Sequence, residues 1–134
     1  MTHLDTSFLV DLLRETARGG AGPALELLAS LQDRELWISV FVACELQTGV
    51  ELTRSPEAEI SKIAELCSSL QVSFPDERFA PTYGRLLAWL QRRGETIASM
   101  DLLIATSAIV EEVPLITRNT KHFAKVPSLE LLSY

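Results

Sequence analysis

Nowhere in these 134 residues does an apolar run approach the roughly 18 that a membrane-spanning helix needs. The opening, "MTHLDTSFLVDLL", has no basic region ahead of its apolar residues, so no secretory signal is expected. Cysteine is scarce: Cys44 and Cys67 stand far apart, without the close spacing of a zinc site. Cys44 falls in an apolar helical pattern, and both thiols are expected to be reduced core residues of a cytoplasmic protein. Histidine occurs only as His3 and His122. There is no internal repeat and no low-complexity tract. What is left is 47% hydrophobic and 22% charged, an ordinary composition for a single folded domain over residues 1–134.

Positive charge is also in short supply. The formal net charge of −6 weighs against nucleic acid as a partner, because phosphate binding wants Lys and Arg. The distribution softens that objection. Residues 1–70 carry 11 acids and 5 bases, whereas residues 71–134 carry seven of each. Arg85, Arg92, Arg93, Arg118, Lys121 and Lys125 all lie in the second half, which leaves room for a locally basic groove.

Strand-like and helix-like patterns alternate along the chain. "THL" is a short strand before Asp5, and "SFLVDLLRE" a helix. "RGGAG" is a loop, "PALELLASLQD" an amphipathic helix, and "LWIS" a strand rich in β-branched and aromatic character. Ser39 caps a helix over "VFVACELQTGV"; Ser55 and Pro56 begin another in "SPEAEISKIAEL". "QVSF" is a strand, and "APTYGRLLAWLQRRG" a helix closed by Gly94. Ser99 is placed to cap "ASMDLLIATSAIV", with Leu103, Ala105, Ala108 and Ile109 on its buried face. "VPLIT" is a strand, "RNTKHF" a turn or short helix, and "LELLS" a last strand. Strands separated by helices of ten or more residues predict an α/β sandwich, a central parallel sheet flanked by helices.

The polar residues take their meaning from that arrangement. Asp5 ends the first strand, and Glu45 lies in the second turn of the helix after "LWIS". Asp101 opens its own helix, and Thr117 and Asn119 follow "PLI". In a parallel sheet all five belong to the edge formed by strand carboxyl ends, where open α/β sheets bind ligands. Alone, Asp101 is read first as helix-end electrostatics, since the dipole favours negative charge in a first turn. Three acids meeting at one edge require more. Like charges about 4 Å apart cost on the order of 4 kcal/mol per pair at an effective dielectric near 20. A hard divalent ion such as Mg²⁺ removes that cost, and it suits the hydrolysis of phosphodiesters. Spacing alone leaves a metal site and scattered surface acids as equal readings.

"LDTSFLVDLL", "ISVFVACELQTGV", "YGRLLAWLQRRG", "IASMDLLIATSAI" and "PLITRNTKHFAKVPSLEL" resemble, in that order, the segments of PIN-domain nucleases. More narrowly they resemble the VapC toxins of bacterial toxin–antitoxin pairs. The resemblance runs from Leu4 to Leu131. It implies a PIN-like fold and an acidic, metal-holding site at Asp5, Glu45 and Asp101. The family's fourth position falls on Asn119, which brings no charge for a second ion. Its accompanying hydroxyls fall on Thr6 or Ser7 and on Thr117. The implied activity is Mg²⁺- or Mn²⁺-dependent cleavage of RNA, held in check by a small VapB-like antitoxin, and family members commonly form homodimers.

Two other classes stay open. One is a haloacid-dehalogenase-like phosphohydrolase with Asp5 as nucleophile, although Ser7 stands where such sites usually place a second acid. The other is a catalytically silent binding module of the same fold. Elsewhere the bland readings lead: His3 as a strand residue, His122 as a loop residue, Trp37 and Trp89 as core or interface aromatics, Asp11 as a solvated helix charge. Arg92 and Arg93 offset a helix dipole. Arg118 and Lys121 fit a solvated turn and a phosphate clamp equally.

Overall fold

The structure, a computed structural model, describes every residue from Met1 to Tyr134. Five short strands, β1 (Thr2–Leu4), β2 (Leu36–Ser39), β3 (Gln71–Ser73), β4 (Leu115–Ile116) and β5 (Leu131–Leu132), form one sheet in the order β3-β2-β1-β4-β5. Every pairing is parallel, with His3 opposite Trp37, Leu4 opposite Ile116, and Ser39 opposite Ser73. The sheet is flanked by seven helices: α1 (Thr6–Ala17), α2 (Pro23–Ser30), α3 (Val40–Leu52), α4 (Pro56–Cys67), α5 (Phe79–Arg92), α6 (Ser99–Val110) and α7 (Thr120–Phe123). The expected α/β arrangement is therefore the one that forms. From β1 the chain builds outward through β2 and β3, then returns to add β4 on the other side. The order reverses between β1 and β4, and such a switch point opens a crevice at the carboxyl ends of the strands.

Local chemistry explains most element boundaries. Ser39 caps α3 as expected, its Oγ accepting from the Val42 amide at 3.2 Å. Pro56 occupies the first turn of α4, and Gly94 takes φ +67° just beyond α5. The "RGGAG" loop closes differently. Both Glu15 carboxylate oxygens accept from the amides opening α2, Ala24 at 3.1 Å and Leu25 at 2.9 Å. Gly22 sits beside them at φ +155°, where a Cβ would run into the Glu15 carboxylate.

Some boundaries differ from the sequence reading. The α2 pattern stops at Ser30, short of Asp33, and β4 and β5 shrink to two residues each. Ser99 is the first residue of α6 and not its cap; Ala98 holds that place with extended backbone and no side-chain bond. Ala105 and Ala108 are buried as predicted, whereas Leu103 and Ile109 are half-buried and Leu102 and Ile104 lie deeper. The reason is that α6 is enclosed on most sides, so its buried residues outnumber one stripe. Thr106 and Ser107 remain tolerable there because their hydroxyls donate to the Leu102 and Leu103 carbonyls, at 2.6 and 3.0 Å.

Phe8, Leu9, Ile38, Val42, Leu90, Leu115 and Phe123 form the centre of the core. Burying each such side chain contributes about 1.5–3 kcal/mol. Val42, Leu46 and Val50 face inward at helical spacing, which turns Cys44 outward: it is exposed, not a core thiol. Cys67 packs half-buried against the core, where burial pushes its thiol pKa up, and neither cysteine is in a disulfide. No helix is long and apolar enough to cross a membrane.

Candidate functional site

Asp5 follows β1 at the switch point, and its extended backbone places it at the N-cap of α1. An aspartate there ordinarily caps the helix through its side chain. This one does not. Only its carbonyl accepts from the helix, from the Phe8 amide at 3.1 Å and the Leu9 amide at 3.3 Å. The carboxylate, 3% exposed, instead receives two hydroxyls on Oδ2: Ser7 Oγ at 2.8 Å and Thr117 Oγ1 at 2.7 Å. Thr117 arrives from the end of β4, directly across the switch point. The two hydroxyls are themselves anchored by main chain, Ser7 by the Arg118 amide at 3.1 Å and Thr117 by the Asn119 amide at 2.9 Å.

Both hydroxyl positions beside Asp5 are used, but on different acids. Ser7 serves Asp5, while Thr6 Oγ1 donates to Glu45 Oε1 at 2.6 Å and ties α3 to the start of α1. Ser7 thus stands as a hydrogen-bond donor where a haloacid-dehalogenase-like site would carry its second acid. Asp101, in the first turn of α6, is half-buried. Burial raises its carboxyl pKa, the charge of Asp5 raises it further, and His122 partly opposes the shift. Asp101 also borders a cavity of about 410 Å³ lined by Thr96, Ile97, Ala98, His122 and Lys125. Lys125 Nζ spans that cavity's rim to the Thr96 carbonyl at 3.1 Å.

Asp5 and Thr117 are in direct contact, Asp101 lies within reach of the Asp5 charge, and Glu45 is linked through Thr6. Asn119 is exposed at the head of α7 and joins through its amide. No group of three acid, histidine or cysteine side chains is poised, as it stands, to enclose a metal ion. Glu45 is engaged by the Thr6 hydroxyl and Asp5 by two others, so hydroxyls, not mutual approach, satisfy these acids.

Sequence reasoning missed other residues. Asp11 is no solvated helix charge: its side chain is 13% exposed and binds Arg118 Nη1 at 2.7 Å and the Tyr134 hydroxyl at 2.6 Å. The available signal was spacing, since Asp11 lies one helical turn beyond Ser7. His3 is the expected strand residue, but it is fully buried against Glu111, the residue that follows α6, which Ser73 also contacts. Arg93 stacks over the half-buried Trp89 ring at 4.1 Å, an attachment beyond any dipole effect. His122 is exposed but lies in the short helix α7, not in a loop, and it borders the Asp101 cavity.

The sequence matches the PIN domain family over residues 3–129. It is 37% identical over 107 residues to the ribonuclease VapC2 of Rickettsia felis, covering 80% of this chain and 78% of that protein. It is 33% identical over 132 residues to the ribonuclease VapC19 of Mycobacterium tuberculosis, covering 97% and 98%. Among solved structures, VapBC2 from Rickettsia felis bound to a promoter DNA fragment superposes with a TM-score of 0.91 at 30% identity, over 99% of this chain and 98% of that one. DNA-bound VapBC from Salmonella typhimurium, at 23% identity and a TM-score of 0.87 over 98% and 96%, shares the fold. A match along nearly the whole chain, with relatives similar over most of their own length, means that this protein belongs to the PIN-domain family and, within it, to the VapC group.

Proposed function

We propose that the protein is a divalent-metal-dependent endoribonuclease, the toxin of a VapBC-type pair, and that it hydrolyses RNA phosphodiester bonds at the Asp5 site. The observation that carries this reading is Asp5 itself. A buried aspartate at a helix N-cap forgoes capping, and two hydroxyls from separate elements hold its Oδ2. Its Oδ1 carries no hydrogen bond within the protein and is left for a ligand.

The donors fit a hard cation. Asp5, Glu45 and Asp101 offer oxygens only, and no thiolate or imidazole cluster competes. Asp5 and Asp101 would hold Mg²⁺ or Mn²⁺, and Glu45 would hold it or orient the attacking water. When bound, such an ion neutralises phosphate charge and acidifies water. The chain's own groups do the rest. Thr6 fixes Glu45 Oε1, leaving Oε2 to accept the water's proton. Thr117 and Ser7 hold Asp5, and the side-chain carboxamide of the exposed Asn119 is available to the water or a phosphate oxygen.

An open groove of about 330 Å³ between α1, α3 and α4, lined by Val10, Leu13, Leu46 and Ile63, reaches Thr6 and Glu45. That placement supports a VapB-like antitoxin whose apolar helix seats there and covers the site. We extend the same reading to a homodimer acting in the cytoplasm.

The test is incubation of purified protein with total RNA, with and without EDTA, followed by end mapping. Hydrolysis by water leaves 5′-phosphate and 3′-hydroxyl ends and stops in EDTA. Asp5→Ala and Asp101→Ala abolish cleavage while RNA binding persists. A 2′,3′-cyclic phosphate end, or cutting undiminished by EDTA, overturns the mechanism.

A further inference from the structure

Arg118 is attached to α1 at both its ends. Its main-chain amide donates to Ser7 Oγ at 3.1 Å, and its guanidinium donates through Nη1 to Asp11 Oδ1 at 2.7 Å. Ser7 and Asp11 are one helical turn apart, so a single face of α1 receives the whole residue. The other Asp11 oxygen is taken by the Tyr134 hydroxyl at 2.6 Å, and that hydroxyl also lies 3.5 Å from the Ser7 carbonyl. The Tyr134 ring stands edge-on to the fully buried Phe8, centroids 5.0 Å apart.

The exposures are unequal in a telling way. Asp11 is 13% exposed, whereas the Arg118 side chain is 51% exposed. Pinning a long side chain costs rotamer entropy, and an ordinary exposed ion pair contributes only about 0–1 kcal/mol in return. Here a shielded carboxylate, bonded on both oxygens, holds a guanidinium that still has most of its five donors free. Arg14 approaches the same Asp11 oxygen only at 3.8 Å. The held cation sits on the residue between Thr117, which binds Asp5, and Asn119. Its main chain is bonded to the Ser7 hydroxyl that also holds Asp5, and its planar fork of donors matches the oxygens of a phosphodiester.

We propose that Arg118 is a phosphate-contacting residue for the RNA strand at the rim of the Asp5 site, and that Asp11 and Tyr134 are positioning residues that hold its guanidinium there. This rests on the ribonuclease reading above. Asp11 acts through geometry: it fixes the fork while its charge is shared with Tyr134, so an incoming phosphate meets a preorganised partner.

The experiment compares Arg118→Ala, Arg118→Lys, Asp11→Asn, Tyr134→Phe and the Asp11→Asn/Arg118→Ala double variant. Each is assayed for cleavage of a short RNA oligonucleotide and, in EDTA, for binding the same fluorescently labelled oligonucleotide across a salt series. Arg118→Ala is expected to raise KM and Kd about ten- to hundredfold, the loss of one charge-assisted contact. Its slope of log affinity against log salt should flatten by about 0.7, one phosphate on a single strand. The effect falls mainly on KM, and Arg118→Lys restores part of it. Asp11→Asn and Tyr134→Phe raise KM by about two- to fivefold, and Asp11→Asn adds nothing once Arg118 is alanine. Wild-type cleavage and binding with an unchanged KM and salt slope in Arg118→Ala overturn the proposal and leave the ribonuclease reading intact. An Asp11→Asn effect that persists without Arg118 makes Asp11 a structural anchor and overturns its positioning role. Wild-type protein that neither binds nor cuts RNA overturns both readings together.

Discussion

The Thr117 hydroxyl donates to Asp5 Oδ2 at 2.7 Å, joining positions 112 residues apart across the switch point of the sheet. That bond orients the carboxylate, and Thr117 is itself held by the Asn119 amide. Thr117→Val keeps the side-chain shape and removes the hydroxyl. Leaving buried polar partners unsatisfied costs about 1–3 kcal/mol. Loss of a group that orients a ligand lowers activity or metal affinity about 10–100-fold. Thermal melts and Mg²⁺ titration of RNA cleavage measure the two effects separately.

Asp101→Asn should leave the protein no less stable than wild type in EDTA. The Asp101 pKa is raised by burial and by Asp5, so its ionised form costs folding free energy at neutral pH. The sign is fixed by that direction. The advantage of Asp101→Asn is full above the raised folded pKa and fades as falling pH protonates Asp101 in the wild type. Paired melts from pH 7 downward test this; an asparagine variant that is strongly destabilised would make the residue structural.

His3 imposes the opposite dependence. It is fully buried, burial pulls its pKa down despite the Glu111 partner, and its Nδ1 has no hydrogen-bond partner. The unfolded state therefore binds the proton more readily than the folded state. Stability is full above the unfolded value, about 6.5, and declines as pH falls from there through the depressed folded value. His3→Gln should flatten the melting temperature between neutral and mildly acidic pH, relative to wild type.

Glu15 and Gly22 should behave as a coupled pair. Glu15→Ala removes the acceptors for the Ala24 and Leu25 amides and costs about 0.5–2 kcal/mol. Gly22→Ala forces a Cβ against the Glu15 carboxylate at a φ that favours glycine. The double variant relieves the collision, so its loss should be smaller than the two single losses combined. Chemical denaturation of the three variants measures the coupling.

Much of this protein was legible in one dimension. Alternating periods of apolar residues predicted the parallel α/β sheet that forms, and strand-end placement singled out Asp5, Glu45, Asp101, Thr117 and Asn119 as the candidate site. Both depend on local pattern, which a sequence carries directly. Element ends were less readable: α6 is enclosed on most sides, and its start at Ser99 rests on backbone geometry with no cap bond to announce it. What tertiary structure alone decided is which partner each polar group takes. Asp5 is a cap residue by position, and only the approach of Thr117 from β4 makes it a held carboxylate. Asp11 is a surface charge by pattern until Arg118 and Tyr134 fold over it. Those bonds join residues more than a hundred positions apart, and no local propensity encodes them; they exist because the core of Phe8, Leu115 and Phe123 closes and brings the ends of β1 and β4 side by side.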